Sequence, residues 1–326
     1  MTLFQSSAWQ DAWWSVWGGT PEFELASHGG GGRSGMYTDE YRFRGVLPIR
    51  CLQFVGTNYR RMSTPRTEYN GLGLSGISGV GSSDALEACR QTTWSEAVFR
   101  DLIRNAPDHR ALLKLASEMR LDVREVANDT AYQVRTDGRF EHYLAGLGRS
   151  TRLRFFNRRK VLESLGDITV RNDWSRDPVA FFERLNEFHI ERWGTPCFGR
   201  DSLLFHRRFL DGIEDEGGAP DLSVLSVSNR PVSVLYNVRF GSCVYNLQSG
   251  FLENYHRKLA LGSLHLGYAI EQAFREPGND VFDLLAGQGK NSNYKQHIAT
   301  DQVELVSLML VRSPFYKWLY RLKQPR

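Results

Sequence analysis

Six residues, Arg257-Lys258-Leu259-Ala260-Leu261-Gly262, set two cations and two small side chains at the opening of a helical pattern that runs to about Arg275. The first turn of a helix presents unpaired N–H groups and a partial positive charge, which together hold a diphosphate well. A small residue is needed where phosphate nears the main chain, because a side chain would block its approach. The flanking segments support such a site. Two apolar runs, Pro231 to Phe240 and Cys243 to Ser249, enclose Gly241-Ser242, the composition of a two-residue hairpin turn. After the helix, Pro277-Gly278-Asn279 stops the pattern and Asp280 to Leu285 reads as a buried strand. A Gly-bearing loop then leads to a second helix over Asn291 to Ile298. The order strand, strand, loop, helix, strand, helix suits a phosphate-bearing cofactor.

The rest of the chain must position this segment. At 326 residues it is too long for one small domain and comfortable for two. Its 41% hydrophobic and 24% charged content is that of an ordinary globular protein. A net charge of +4 admits anionic ligands without implying nucleic acid. Cys51, Cys89, Cys197 and Cys243 stand far apart, which predicts neither a zinc site nor a disulfide framework. With no His/Glu metal spacing either, the sequence predicts no metal. No basic-then-apolar leader opens the chain, and no apolar run approaches the ~18 residues that span a bilayer. The expected location is the cytoplasm, with peripheral contact to the inner face of a membrane as a further expectation.

Along the chain, Ser6 to Trp17 reads as a helix whose Trp9, Trp13 and Trp17 share one face, a stripe for docking on a core. Gly29 to Gly32 forms a loop between strands at Phe23–Ala26 and Gly45–Arg50. The Gly/Ser-rich stretch from Gly71 to Ser83 leads into a helix near Asp84. Trp94 to Ile103 and Arg110 to Met119 read as helical. Asp122–Val126 and Ala131–Arg135 read as strands that run into the turn Thr136-Asp137-Gly138. That turn is the expected boundary between domains 1–137 and 138–326. Beyond it, Arg149, Arg152, Arg154, Arg158, Arg159 and Lys160 occupy several faces of one helix, with no acid before Glu163. This is either a solvated surface or a landing site for a polyanion. The tail from Ser313 to Lys323 mixes aromatics with cations like an interfacial helix, although such a tail also suits packing on its own domain.

The 257–262 segment resembles the coenzyme A loop of the GNAT acyltransferases, Gln/Arg-x-x-Gly-x-Gly/Ala. Arg257 and Gly262 match, and Ala260 replaces the first Gly. In that family the loop follows a strand pair and precedes a helix, a strand and a Tyr-bearing helix, as Val281–Leu285 and Asn291-x-x-Tyr294 do here. Phe282-Asp283-Leu284-Leu285, Gly287 and Tyr294-Lys295 resemble the BioF2-like or CelD-like branch, related to the FemABX peptidyltransferases. Phe4-Gln-Ser-Ser-Ala-Trp9 and the basic helix are similar to the same branch.

The resemblance implies an α+β fold of two GNAT-like domains, each a mixed, mostly antiparallel sheet flanked by helices, with the active site in the second. It implies acyl transfer from acetyl-CoA or another acyl-CoA to an amine of a small molecule or amino sugar, in exopolysaccharide or cell-envelope biosynthesis. Asp283 is then the base that deprotonates the amine, and Tyr294 the acid that protonates the thiolate. Main-chain N–H groups within Tyr245–Ser249, including those of Tyr245 and Leu247, would polarise the thioester carbonyl. Arg257, Lys258, Ala260, Gly262, Ser263 and Lys295 would hold the phosphates, and Glu68, Tyr69 and Gln248 the acceptor. Tyr245 equally suits core packing, His265 reads as core, and Asp283 equally suits a cap or ion pair at a strand end. Two alternatives remain: a FemABX-type transferase that draws on aminoacyl-tRNA, and a non-enzymatic adaptor. The adaptor would bind a membrane or nucleic acid through Arg149–Lys160 and the C-terminal tail.

Overall fold

The computed structural model describes residues 1–74, 82–287 and 290–322. Residues 75–81, most of the Gly/Ser-rich stretch, lie outside them. In chain order the first elements are α1 (Ser7–Trp17), β1 (Phe23–Ser27), β2 (Met36–Phe43), β3 (Leu47–Phe54), α2 (Ser82–Gln91), β4 (Glu96–Ile103), α3 (Pro107–Glu118) and β5 (Asp122–Arg135). There follow α4 (Phe140–Gly146), α5 (Arg149–Arg152), a π-helical turn (Leu153–Asn157), α6 (Arg159–Glu163), β6 (Ile168–Asn172), α7 (Pro178–Trp193) and α8 (Arg200–Ile213). The last are β7 (Ala219–Val227), β8 (Arg230–Phe240), β9 (Cys243–Phe251), α9 (Leu261–Arg275), β10 (Val281–Ala286), α10 (Lys290–Ile298), β11 (Asp301–Val311) and α11 (Pro314–Leu322).

Two compact units result. The first is Met1–Asp129 with Leu204–Glu216 and Val303–Arg326; the second is Thr130–Leu203 with Gly217–Gln302. A single cut into 1–137 and 138–326 follows the chain, whereas these units interleave along it. The physical reason is pairing and packing at long range. β11 is hydrogen-bonded antiparallel to β4, from Leu305↔Ile103 to Val311↔Glu96. Phe205 and Phe209 of α8 meet the Trp9 ring edge-on at 4.9 and 4.8 Å.

In the first unit the strand order is β1-β2-β3-β4-β11. Its core gathers Met36, Leu52, Phe54, Phe99, Leu112, Leu115 and Leu308. The tryptophan stripe docks as expected: Trp9, Trp13 and Trp17 are buried, and the Trp9 indole N–H donates to the Thr67 hydroxyl at 3.0 Å. Trp94 to Ile103 is not helical. Most of it is β4, paired in parallel with β3 from Cys51↔Glu96 to Gln53↔Val98. A short apolar run buried on both faces carries no periodicity that separates strand from helix.

In the second unit the order is β5-β10-β9-β8-β7-β6, with β9 and β10 parallel and the other pairs antiparallel. Successive strand residues face opposite sides. On one side Leu235, Val244, Phe282 and Leu284 bury Leu266 and Ile270 of α9. On the other, the Tyr236 ring meets Phe182 of α7 at 5.3 Å. The expected hairpin is present, with Gly241 at φ 60° in the turn, a conformation that disfavours any other residue. Each unit therefore holds one parallel strand pair joined by a helical crossover in a mostly antiparallel sheet. The doubling is structural and leaves no repeat in the sequence. At the third rung of the parallel ladder the first unit has Gln53↔Val98, where the second has Tyr245↔Asp283. Of these two equivalent rungs, only that of the second unit carries a carboxylate.

Candidate active site

The start of α9 is built to meet an anion. Ala260 stands at its N-cap and supplies no side-chain acceptor for the first-turn N–H groups. Arg257 and Lys258 are exposed just before it. The helix begins at Leu261, later than the sequence pattern, because a turn closed by the Leu259 N–H to the His256 carbonyl (2.9 Å) occupies the preceding residues. Gly262 has a local reason to be small: a Cβ there would lie 2.5 Å from the Phe251 ring. That ring in turn supports Arg192, whose guanidinium lies 4.9 Å from its centroid and pairs with Glu253 at 2.7 Å.

A further cation arrives from the basic segment. The run from Arg149 to Lys160 is no single helix; α5, the π turn and α6 divide it. The π turn aims Arg154 at α9, where its Nε donates to the Ser263 hydroxyl at 2.9 Å. Arg159 reaches further along the same helix, pairing with Glu271 and covering the Tyr268 ring at 3.9 Å. Arg152 donates to the carbonyl of Ala145 at 3.3 Å. The run is thus partly spent on holding the unit together, and Arg154 is the member placed at the helix start.

Asp283 lies where β9 and β10 part. Their parallel ladder runs from Val281↔Cys243 to Asp283↔Tyr245 and ends there. Two residues on, β9 takes a bulge: Asn237 pairs with Asn246 and Tyr236 with Gln248, so Leu247 is the extra residue. Bulges re-aim backbone groups, and this one falls within the stretch expected to polarise a carbonyl. The Asp283 carboxylate is buried, accepting the Leu285 N–H at 2.7 Å and the Gln133 side-chain amide at 2.8 Å. Leu285 itself adopts φ 59°, a left-handed conformation that is rare for a residue other than glycine.

Tyr294, on α10, stacks over Phe155 with ring centroids 6.5 Å apart. Burial raises its phenol pKa, and the charges of Arg154 and Arg192 pull against that rise. The same two arginines that frame the start of α9 thus act on this hydroxyl. Lys295, expected at the phosphates, has its amine at the end of β10. It is buried, and its Nζ donates to the carbonyls of Leu285 and Ala286 at 3.0 and 2.9 Å, fixing the end of β10. The side chain of Asn291, part of the Asn-x-x-Tyr pattern, lies outside the described residues. His265 is core: its ring nitrogens meet Ser233 and Ser223, both at 3.0 Å, and burial pushes its pKa down to about 3.

Residues 149–296 match the acetyltransferase (GNAT) domain family. This segment is a GNAT acetyltransferase domain. The protein is accordingly an acyltransferase. Among solved structures it is similar to FemX, at 12% identity and TM-score 0.61, over 98% of this chain and 94% of that one. It is also similar to a C-terminal domain assigned to a lysylphosphatidylglycerol synthetase from Agrobacterium fabrum, at 11% identity and TM-score 0.52, over 98% and 91%. A conserved protein of unknown function from Bacteroides thetaiotaomicron aligns at 11% identity and TM-score 0.54, over 94% and 90%. At such identities the likeness is one of fold. No curated protein matches the sequence.

The acetyltransferase domain includes Tyr245, Leu247, Gln248, Arg257 to Ser263, Asp283, Tyr294 and Lys295. Tyr245 is buried, and Gln248 accepts the N–H of Ser249 at 2.9 Å. Glu68 and Tyr69 belong to the first unit, both buried; Arg66 contacts Glu68 at 3.2 Å and Asp101 at 3.1 Å. Sequence reading missed Arg154 as an individual, and missed Arg192 and Gln133 altogether. A lone Arg on one helix and a Gln on a strand give no local signal. Among the described residues no cluster of His, Cys, Asp or Glu could hold a metal, and no helix is long and apolar enough to cross a membrane.

Proposed function

We propose that this protein transfers an acyl group, acetyl in the first instance, from acyl-CoA to an amine of a small molecule or amino sugar, in envelope or exopolysaccharide synthesis. The observation that carries the reading is the uncapped start of α9, with Arg154 on Ser263 and Arg257 and Lys258 ahead of it. Those groups fit a diphosphate. Arg154, Arg257, Lys258 and the amides of Leu261 to Ser263 would hold it, and the gap where β9 leaves β10 would receive the thioester arm. Amides around the Leu247 bulge would bind the carbonyl oxygen as negative charge develops. Asp283 would take a proton from the acceptor's ammonium, directly or through water, leaving the neutral amine to attack the carbonyl carbon. Tyr294 would give a proton to the departing sulfur, and Arg154 and Arg192 would stabilise the phenolate left behind.

Isothermal titration with acetyl-CoA tests the carrying observation. The wild type should bind, and Arg154→Ala should bind about tenfold more weakly, the low end of the ~1.5–3 kcal/mol that a hydrogen bond to a charged group contributes. Equal affinity in the two proteins, or no binding at millimolar ligand, would remove the assignment. A donor of the aminoacyl-tRNA kind is the second reading, favoured by exposed Arg149 and Lys160 on the basic segment. Transfer that survives ribonuclease treatment would exclude it.

A further inference from the structure

Helix α11 of the first unit has two apolar faces. One packs inward: Tyr316 is buried with Ile49, Cys51, Val98, Met309 and Val311, and Leu319 and Tyr320 lie beside it. Polar bonds anchor that face. The Tyr316 hydroxyl donates to the Pro48 carbonyl, and the Tyr320 hydroxyl donates to buried Glu96 at 2.5 Å. The other face is bare. Phe315, Trp318 and Leu322 are 50%, 58% and 63% exposed. Their i, i+3, i+7 spacing aligns them into one stripe, and the rings of Phe315 and Trp318 lie 6.3 Å apart. Val46, 70% exposed, sits at the β2–β3 hairpin tip, two residues from the Pro48 that Tyr316 holds.

Large apolar side chains gathered on a rigid surface mark an interaction site, and charge narrows the partner. From Pro314 to Arg326 the sequence carries Lys317, Arg321, Lys323 and Arg326 and no carboxylate. Arg42 and Arg44 on the hairpin are exposed as well. Lys317 donates to the Arg120 carbonyl at 2.6 Å. Arg321 pairs with Asp122 at 2.9 Å, yet its side chain is 70% exposed, and an ion pair so open to water is weak. An anchored helix showing Trp, Phe and Leu between cations has the chemistry of an element lying in a lipid headgroup layer, with aromatics at the acyl boundary and cations on anionic headgroups.

We propose that this protein docks peripherally on an anionic lipid surface through Phe315, Trp318 and Leu322. Flotation of the full chain with vesicles tests this. Phosphatidylcholine vesicles holding roughly 30% phosphatidylglycerol should carry the protein at low salt, pure phosphatidylcholine should carry about tenfold less, and added salt should release it. The double change Phe315→Ser with Trp318→Ser should cut binding at least about tenfold without lowering the thermal midpoint, since neither side chain is buried. Lys317→Gln with Arg321→Gln should weaken binding and reduce its salt dependence. Equal flotation of the wild type and the serine variant would overturn the proposal. So would a dimer in light scattering that the serine variant loses, because the face would then belong to a second copy. Acetyl-CoA titration is indifferent to all of these outcomes.

Discussion

Asp283→Asn should lower kcat by about 10²- to 10⁴-fold, the range that a positioned general base contributes, and leave the affinity for acetyl-CoA near that of the wild type. The substitution can keep two of the local bonds. Asn can still accept the Leu285 N–H through its carbonyl oxygen, and the Gln133 amide can turn over to present its own oxygen to the new NH2 group. What the change removes is the negative charge and the proton it takes up. Release of free thiol from acetyl-CoA, in the presence of an acceptor found by screening amines, supplies the rate. Titration calorimetry and a melting curve supply the two controls. A rate within about threefold of the wild type would show that the amine loses its proton elsewhere, leaving Asp283 as the clamp on Leu285. A melting point that falls with the rate would instead assign the loss to the fold.

The sequence made the second unit legible because its elements punctuate themselves. Gly241-Ser242 marks the hairpin, Pro277-Gly278 ends α9, and the short run at Val281 is closed by glycine soon afterwards. The Trp9, Trp13 and Trp17 spacing likewise placed the inner face of α1. What was not legible depends on pairing at a distance. β2 and β6 have mixed polar composition and become strands only because β3 and β7 hydrogen-bond to them. β4 looked helical because its parallel neighbour β3 lies more than forty residues away in the chain. The same limit applies to the site. Arg257 to Gly262 announce an anion site by local composition. Lys295, next to a motif tyrosine, has its charge directed to two carbonyls at the end of β10, a geometry that only the folded chain defines.

Gly267→Ala carries the largest expected effect on stability, and it tests how Arg154 comes to the site. Alanine is the better helix former by roughly 1 kcal/mol, so an open position in α9 would gain from the change. Position 267 is not open. A Cβ there would lie 2.1 Å from the carbonyl oxygen of Phe155 and 3.0 Å from its carbonyl carbon. Those are backbone atoms of the π turn, and no side-chain rotation relieves the overlap. Either α9 or the turn must shift, and overpacking of this kind costs typically ~1–3 kcal/mol or more. In a unit of this size that corresponds to a fall in melting temperature of about 2–12 °C. Displacing the turn also moves Arg154 from Ser263 and Arg159 from Glu271, so acetyl-CoA affinity should fall together with stability. Gly146→Ala is the matched control, since a Cβ at that helix end meets nothing within 4 Å. If both variants melt at or above the wild-type temperature, the contact between α9 and the π turn is looser than the atoms place it. Arg154 would then owe its position to something other than the missing side chain at 267.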